Sequence, residues 1–260
     1  MTALAARRRH PLASAVLVLL GLVVTGCVYA AVMPGQARAE EVSQQDVAAG
    51  RSLFLANCSS CHGLNAQGRE NAPSLVGVGS AAVDFQVGTG RMPLQASGPQ
   101  APKQNAVRFT AEQIRQLAAY VASLGPGPAI PTAEQVDPSK GDASRGAMIF
   151  RTNCAMCHNF AGKGGALTRG KYAPNIEVGP EHIYEAMQTG PQSMPVFNDQ
   201  TIDPQGKRDI IAYLKTIKEA PSPGGFNLGY IGPVSEGLVA WVVGLAALVG
   251  CAVWLGAKAS

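Results

Sequence analysis

The chain has 260 residues, 47% of them hydrophobic, only 15% charged, and a formal net charge of +4. Ordinary soluble domains carry about 25% charged residues, so this composition excludes a disordered chain and a highly charged soluble protein. Aromatic residues are scarce at 6%, and no dense basic block follows Arg7-Arg8-Arg9, which leaves nucleic-acid binding without support.

The first element is apolar. From His10 to Ala37 there is no Asp, Glu, Lys or Arg, and the greasy part runs from Leu12 to Met33. That is long enough to cross about 30 Å of hydrocarbon. Three readings stand side by side. The segment is a retained helix with a cytoplasmic N-terminus, by the positive-inside rule. Or it is a signal peptide cut after the A-x-A site Ala37-Arg38-Ala39. Or Val24-Thr25-Gly26-Cys27 is a lipoprotein-type signal. The apolar run continues past Cys27, which favours the retained helix, and each reading sends the following chain across the membrane.

The middle, from Ser43 to about Ser222, repeats itself once. Gly50, Phe54, Asn57, Cys58, Cys61 and His62 match Gly146, Phe150, Asn153, Cys154, Cys157 and His158 at a constant offset of 146 − 50 = 96. Ala72-Pro73 matches Ala173-Pro174, and Met92-Pro93 matches Met194-Pro195. A helix closes each half. In the first, Thr110 with Gln113 forms a capping box, Ile114, Leu117, Ala118, Val121 and Leu124 make one apolar stripe, and Gly125 stops it. In the second, Asp203-Pro204 starts a helix carrying Ile210, Ile211, Leu214 and Ile217. Between the halves, Gly125 to Pro131 reads as an irregular linker. Each unit has a helix before its Cys motif, an irregular Gly/Pro-rich middle and a helix at the end. A unit of this size with so few aromatics is short of core material, which a large apolar cofactor would supply.

The last element, Gly237 to Ala257, is free of charge over 257 − 237 + 1 = 21 residues, about 31 Å of helix. Trp241 and Trp254 sit toward its ends as interfacial anchors. Glu236 before it and Lys258 after it place the C-terminus in the cytoplasm and the middle of the chain outside. Small residues including Gly244, Ala247 and Gly250 permit close approach of another helix.

Cys58-Ser59-Ser60-Cys61-His62 and Cys154-Ala155-Met156-Cys157-His158 have the spacing of c-type haem attachment. One helical turn separates the two thiols so that each can bond one haem vinyl group, and the adjacent imidazole then falls over the haem face. A pooled four-cysteine zinc site would leave both histidines unexplained. A redox disulfide lacks its thioredoxin-like context. Two covalent haems c are therefore expected, on Cys58 and Cys61 and on Cys154 and Cys157, with His62 and His158 as iron ligands. Between Ser43 and Lys140 the only methionine is Met92 and the only histidine His62, so a Met ligand to the first iron must be Met92. In the second half Met148, Met156, Met187, Met194 and His182 compete; the shared Met-Pro context favours Met194, with Met187 and His182 as the alternatives. His/Met ligation fills both axial positions, which suits electron transfer and leaves no place for substrate. No catalytic triad or phosphate loop is visible. Lys163, Arg169 and Lys171 are candidates for steering an acidic partner or a propionate, beside a reading as solvated charge.

At this point the chain resembles the dihaem cytochrome c subunit of the actinobacterial cytochrome bc1 complex. The likeness extends over about residues 42–258 and includes Val83 to Pro93, Asn159 to Leu167, Lys171 to Pro174, Asp209 to Tyr213 and Pro223 to Gly225. It implies a mainly α chain with two tandem class I cytochrome c domains between N- and C-terminal transmembrane helices. The expected boundaries are 1–41 for the N-terminal membrane segment, 42–125 for the first domain, 126–139 for the linker, 140–222 for the second domain, 223–235 for a juxtamembrane loop and 236–257 for the last helix. It also implies a role: electrons from menaquinol, oxidised at cytochrome b, pass through a Rieske iron–sulfur protein to this chain and on to an aa3-type oxidase in one supercomplex. The haem domains are then expected on the outer side of the cell membrane, with both termini cytoplasmic if the first helix is retained.

Overall fold

The computed structural model describes residues 11–32, 43–96, 98–219 and 233–258. Arg7-Arg8-Arg9, the Ala37-Arg38-Ala39 site and most of the expected 223–235 loop lie outside them. The chain divides into one unit ending at Val42 and another beginning at Ser43. In the first, helix α1 spans Pro11–Val32. Its 22 residues measure about 33 Å, and its side chains from Ala15 to Val28 are all exposed.

The second unit begins with α2 (Gln44–Asn57), capped by Ser43, whose Oγ accepts from Gln45 N–H. It continues through the single turn α3 (Ser59–His62), α4 (Gly79–Gly88) and α5 (Ala111–Ala122). The repeat follows: α6 (Ala133–Val136), a 3₁₀ turn at Pro138–Lys140, α7 (Ala143–Asn153), the turn α8 (Ala155–His158), a two-stranded antiparallel hairpin of β1 (Gly165–Ala166) and β2 (Tyr172–Ala173), α9 (Pro180–Thr189) and α10 (Pro204–Glu219). Among the described residues the protein is mostly helical.

In each half the first and last helices cross at a glycine. A Cβ on Gly50 would lie 1.9 Å from the Gln116 carbonyl oxygen on α5, and one on Gly146 would lie 1.9 Å from that of Asp209 on α10. One turn on, the aromatic pairs Phe54–Tyr120 and Phe150–Tyr213 pack in a tilted arrangement with ring centroids 5.2 and 5.5 Å apart. The aligned Gly and Phe positions of the sequence repeat are thus the same helix crossing built twice. Phe54, Leu117 and Val121 fill one core, and Phe150, Ile210 and Leu214 the other. Each fully buried residue of this size contributes roughly 1.5–3 kcal/mol.

The closing helices start as expected. Thr110 and Gln113 exchange both bonds of a capping box, and Asp203 Oδ1 accepts from Gly206 N–H at 2.6 Å. The first of them stops at Ala122 with Ser123 as its cap, before Gly125.

Three expectations need correction. The middles are not simply irregular, since α4 and α9 each supply ten helical residues. The residues expected as linker are not a free tether either. Pro128 O accepts from Ala81 N–H, Ser80 Oγ accepts from Ile130 N–H, and α6 buries Val136 against Tyr184 and Ile211. Finally, the last helix α11 spans Pro233–Lys258 and so takes in the end of the expected juxtamembrane loop. Its stretch Val234–Lys258 contains an 18-residue window of mean hydropathy 2.4 and is long and apolar enough to cross a membrane. Lys258 Nζ lies 4.6 Å from the Trp254 ring centre at its end.

Candidate functional site

Both Cys-x-x-Cys-His segments form the same turn. Cys58 N–H donates to Phe54 O at 2.8 Å, and His62 N–H to Cys58 O at 2.9 Å. In the second copy Cys154 N–H donates to Phe150 O at 2.8 Å, and His158 N–H to Cys154 O at 2.9 Å. The first helix thus runs straight into a turn that projects two thiols and an imidazole beside the core. None of these four cysteines forms a disulfide. Burial, followed by the neighbouring Cys61 or Cys157, pushes the Cys58 and Cys154 thiols up to about 11. Burial lowers the His158 pKa, opposed by its backbone hydrogen bond to Pro174.

The histidines are oriented by residues that sequence reasoning left without a role. His62 Nδ1 is 2.8 Å from Pro73 O, and His158 Nδ1 is 3.0 Å from Pro174 O. A carbonyl only accepts, so Nδ1 carries the proton and Nε2 keeps its lone pair for a metal. The signal was present as the repeated Ala-Pro. The second loop is five residues longer, 174 − 158 = 16 against 73 − 62 = 11, and the hairpin β1–β2 takes up the difference. Equivalent bonds flank it: Gly68 N–H to His62 O and Gly164 N–H to His158 O.

A cleft in the second half tests the fit of a haem. Phe150, Cys154, Cys157, His158, Met187 and Met194 are among its lining residues. It holds about 1180 Å³ of empty space, its open mouth included. Thiols, an imidazole and thioether sulfurs line it together with apolar side chains, the set a covalently attached macrocycle requires. A propionate partner is also present. Arg91, from the first half, is 6% exposed, lines this cleft, and packs its guanidinium 4.7 Å from the Phe85 ring centre. Its Nη1 is buried without a hydrogen-bond partner, the condition of a cation that awaits an anion. The residues fit the group.

The methionine candidates separate. Met148 and Met156 are 57% and 92% exposed. Met92 packs on the first core, and Met187 and Met194 both lie in the second. Met187 is part of α9 and accepts Phe197 N–H on its carbonyl, whereas Met194 sits on the loop after α9. His182 also lines the cleft, but its Nδ1 is taken up by carboxylates, 2.9 Å from Glu185 Oε2 and 3.6 Å from Asp84 Oδ2. Of the basic residues, Lys163 pairs with Glu177 at 3.1 Å and Lys171 donates to Ser193 Oγ at 2.8 Å.

The halves are joined by amide pairs. Gln100 donates to Tyr172 O at 2.8 Å and accepts its N–H at 3.0 Å, continuing the hairpin edge. Gln192 makes the same double bond with the Ala101 backbone, at 2.9 and 3.0 Å.

Known proteins resemble the chain throughout. The family model for cytochrome c matches residues 47–125, and that for subunit III of cbb3-type cytochrome c oxidase matches residues 141–214. A cytochrome bc1 complex cytochrome c subunit of Corynebacterium efficiens is 44% identical over 96% of this chain and 90% of its own length. That of Mycobacterium tuberculosis is 44% identical over 97% of this chain and 93% of its own. A cbb3-type cytochrome c oxidase subunit FixP of Sinorhizobium medicae is 27% identical over 70% of this chain and 55% of its own.

Proposed function

We propose that this chain, which belongs to the family of cytochrome bc1 complex cytochrome c subunits, is a two-haem relay carrying electrons from menaquinol to an aa3-type oxidase. The observation that carries the reading is the duplicated turn, in which two thiols and an imidazole with its Nδ1–H held by a proline carbonyl stand beside each core. When bound, each haem supplies an iron that changes between ferric and ferrous states by one electron.

The chain's own residues do the rest. Cys58 and Cys61 hold one group and Cys154 and Cys157 the other. His62 and His158 offer Nε2 to the iron. Met92 and Met194 would supply a sulfur ligand to each iron, which would raise the reduction potential. With a histidine and a methionine committed to each iron, the haems would serve electron transfer rather than bond chemistry. Arg91 supplies a buried positive charge where propionates would lie, which also favours the reduced state of a nearby haem. Quinol oxidation belongs to cytochrome b, and the electron reaches this chain through the Rieske iron–sulfur protein. The two cytochrome c domains lie in tandem, at about 42–125 and 140–222. Helix α1, if retained, and helix α11 anchor them to the outer face of the cell membrane, with both termini cytoplasmic. A tethered relay replaces a diffusing one.

The test is the subunit composition of the tagged protein isolated from native membranes in mild detergent. Cytochrome b, Rieske and oxidase subunits are expected together. The likeness to a cbb3 oxidase subunit favours a second reading, which recovery with oxidase subunits and no cytochrome b would select. Recovery alone overturns both.

A further inference from the structure

Where α4 meets α9, three ligating side chains converge outside the haem turns. Asp84 comes from α4, and His182 and Glu185 come from successive turns of α9. One nitrogen or oxygen from each lies within 4.8 Å of those of the other two. His182 Nδ1 is 2.9 Å from Glu185 Oε2 and 3.6 Å from Asp84 Oδ2. A tetrahedral ion with bonds of about 2.0 Å sets its ligands about 3.3 Å apart, so these separations bracket the required edge.

With both carboxylates ionised the cluster is net negative, a charge that a bound cation would balance. One imidazole N–H faces two carboxylates, and Glu181 adds a further negative charge to His182's surroundings. Glu185 has no exposed surface, and its Oε1 is buried with no hydrogen-bond partner. A buried carboxylate oxygen left in that state is costly. The other edge of the ring rests against Gly88, where an added Cβ would stand 3.1 Å from Cε1 and 3.3 Å from Nε2. Phe85 packs edge-on against the same imidazole, with centroids 6.1 Å apart. His182 and Asp84 keep 23% and 21% side-chain exposure, which leaves a path for an ion and for a water as fourth ligand.

We propose that Asp84, His182 and Glu185 form a binding site for a zinc-type divalent cation that ties the two halves of the haem-bearing unit together. One imidazole nitrogen and two carboxylate oxygens suit such an ion. Because its ligands come from both halves, occupancy opposes their separation.

The experiment uses the full-length haem-loaded protein, carrying a non-histidine tag, in detergent and stripped with chelator. His10→Ala serves as the background. In the relay reading haem occupies His62 and His158, so His182 is then the remaining histidine of the four in the sequence. Zinc chloride is titrated calorimetrically, and bound zinc is measured by elemental analysis after gel filtration. One zinc per chain is expected. Asp84→Asn, His182→Gln and Glu185→Gln should each weaken binding at least 10-fold and abolish the zinc-dependent rise in melting temperature. An unchanged Soret spectrum in each variant shows that the haem domains still fold. Folded wild-type protein that takes up no zinc in the micromolar range overturns the proposal. So does uptake that none of the three substitutions weakens, and in either case a proton between the carboxylates closes the charge instead.

Discussion

Gly146→Ala probes the helix crossing on which the second half is built. The new Cβ would stand 1.9 Å from Asp209 O, 2.3 Å from its carbonyl carbon and 2.9 Å from Ile210 N. These are backbone atoms and cannot rotate away. Ordinary contact begins near 3.4 Å, so α7 and α10 must part by about 1.5 Å. A gap of 0.5–1 Å already forfeits about a quarter to a half of each dispersion contact. The contacts at stake include the Phe150–Tyr213 ring pair and the packing of Ile210. Overpacking typically costs about 1–3 kcal/mol, and here the upper end or more applies. About 3 kcal/mol corresponds to a fall of roughly 12–24 °C in melting temperature for a domain of this size. Gly50→Ala should do the same to the first half, where the obstacle is Gln116 O at 1.9 Å. Gly98→Ala is the control, because its nearest neighbour would be Gln100 O at 3.8 Å. The assay is denaturant and thermal unfolding of the detergent-solubilised chain, followed by Soret and far-UV circular dichroism. If Gly146→Ala stays within about 0.5 kcal/mol of wild type, as surface changes do, the crossing does not set this fold.

Other substitutions separate the remaining roles. Met92→Ala and Met194→Ala should each lower the potential of one haem in a redox titration while pyridine haemochrome still reports two attached haems, whereas Met148→Ala and Met156→Ala should leave both potentials in place. Arg91→Gln should lower at least one midpoint potential, since it removes a buried positive charge from the cleft; potentials equal to wild type would deny it contact with the haem environment. Asp209→Ala should cost roughly 3 kcal/mol in denaturant unfolding, the scale of a broken buried ionic network. Asp209 has no exposed surface, accepts from Asp142 N–H and Gln205 Nε2 at 2.8 Å each, and has Arg145 Nε 3.3 Å from an oxygen that lacks an aligned donor.

Much of this was legible in the sequence because the repeat prints it twice. The Cys-x-x-Cys-His turns, the glycine and phenylalanine of the crossing, and the caps at Thr110 and Asp203 depend on residues a few positions apart, and local spacing reports them. Helix α4 escaped because it is buried on more than one side. Gly79, Ala81, Val83, Phe85 and Val87 are all buried at alternate positions, a pattern with no single stripe of period 3.6. The packed linker escaped because its bonds run to α4, some fifty residues earlier. His182 looked like a rival iron ligand until its partners were seen, one of which, Asp84, lies on the other half of the repeat. Arg91 presents the same difficulty. It sits beside Met92 in sequence and in the opposite half's cleft in space.

That last arrangement bears on why the two cytochrome c domains share one chain. Transfer between two haems falls steeply with their separation, so a relay needs its cofactors held at a fixed spacing. A flexible linker would not provide that. Here Gln100 and Gln192 each pair both amide atoms with the opposite half's backbone, and each such pair is lost if the halves part. Arg91 carries the coupling furthest, since the residue next to the proposed ligand of one iron lines the cleft proposed for the other haem. Replacing Gln100 by Ala removes two of the four amide bonds while leaving every proposed ligand untouched. The expected result is a slower electron transfer between the haems after rapid photoreduction, with both midpoint potentials unchanged. A slower transfer accompanied by shifted potentials would place Gln100 in a haem's electrostatic environment. An unchanged rate would mean that the bond from Lys103 to Glu177 O, the Gln192–Ala101 pair and the α4–α9 contact hold the spacing without it.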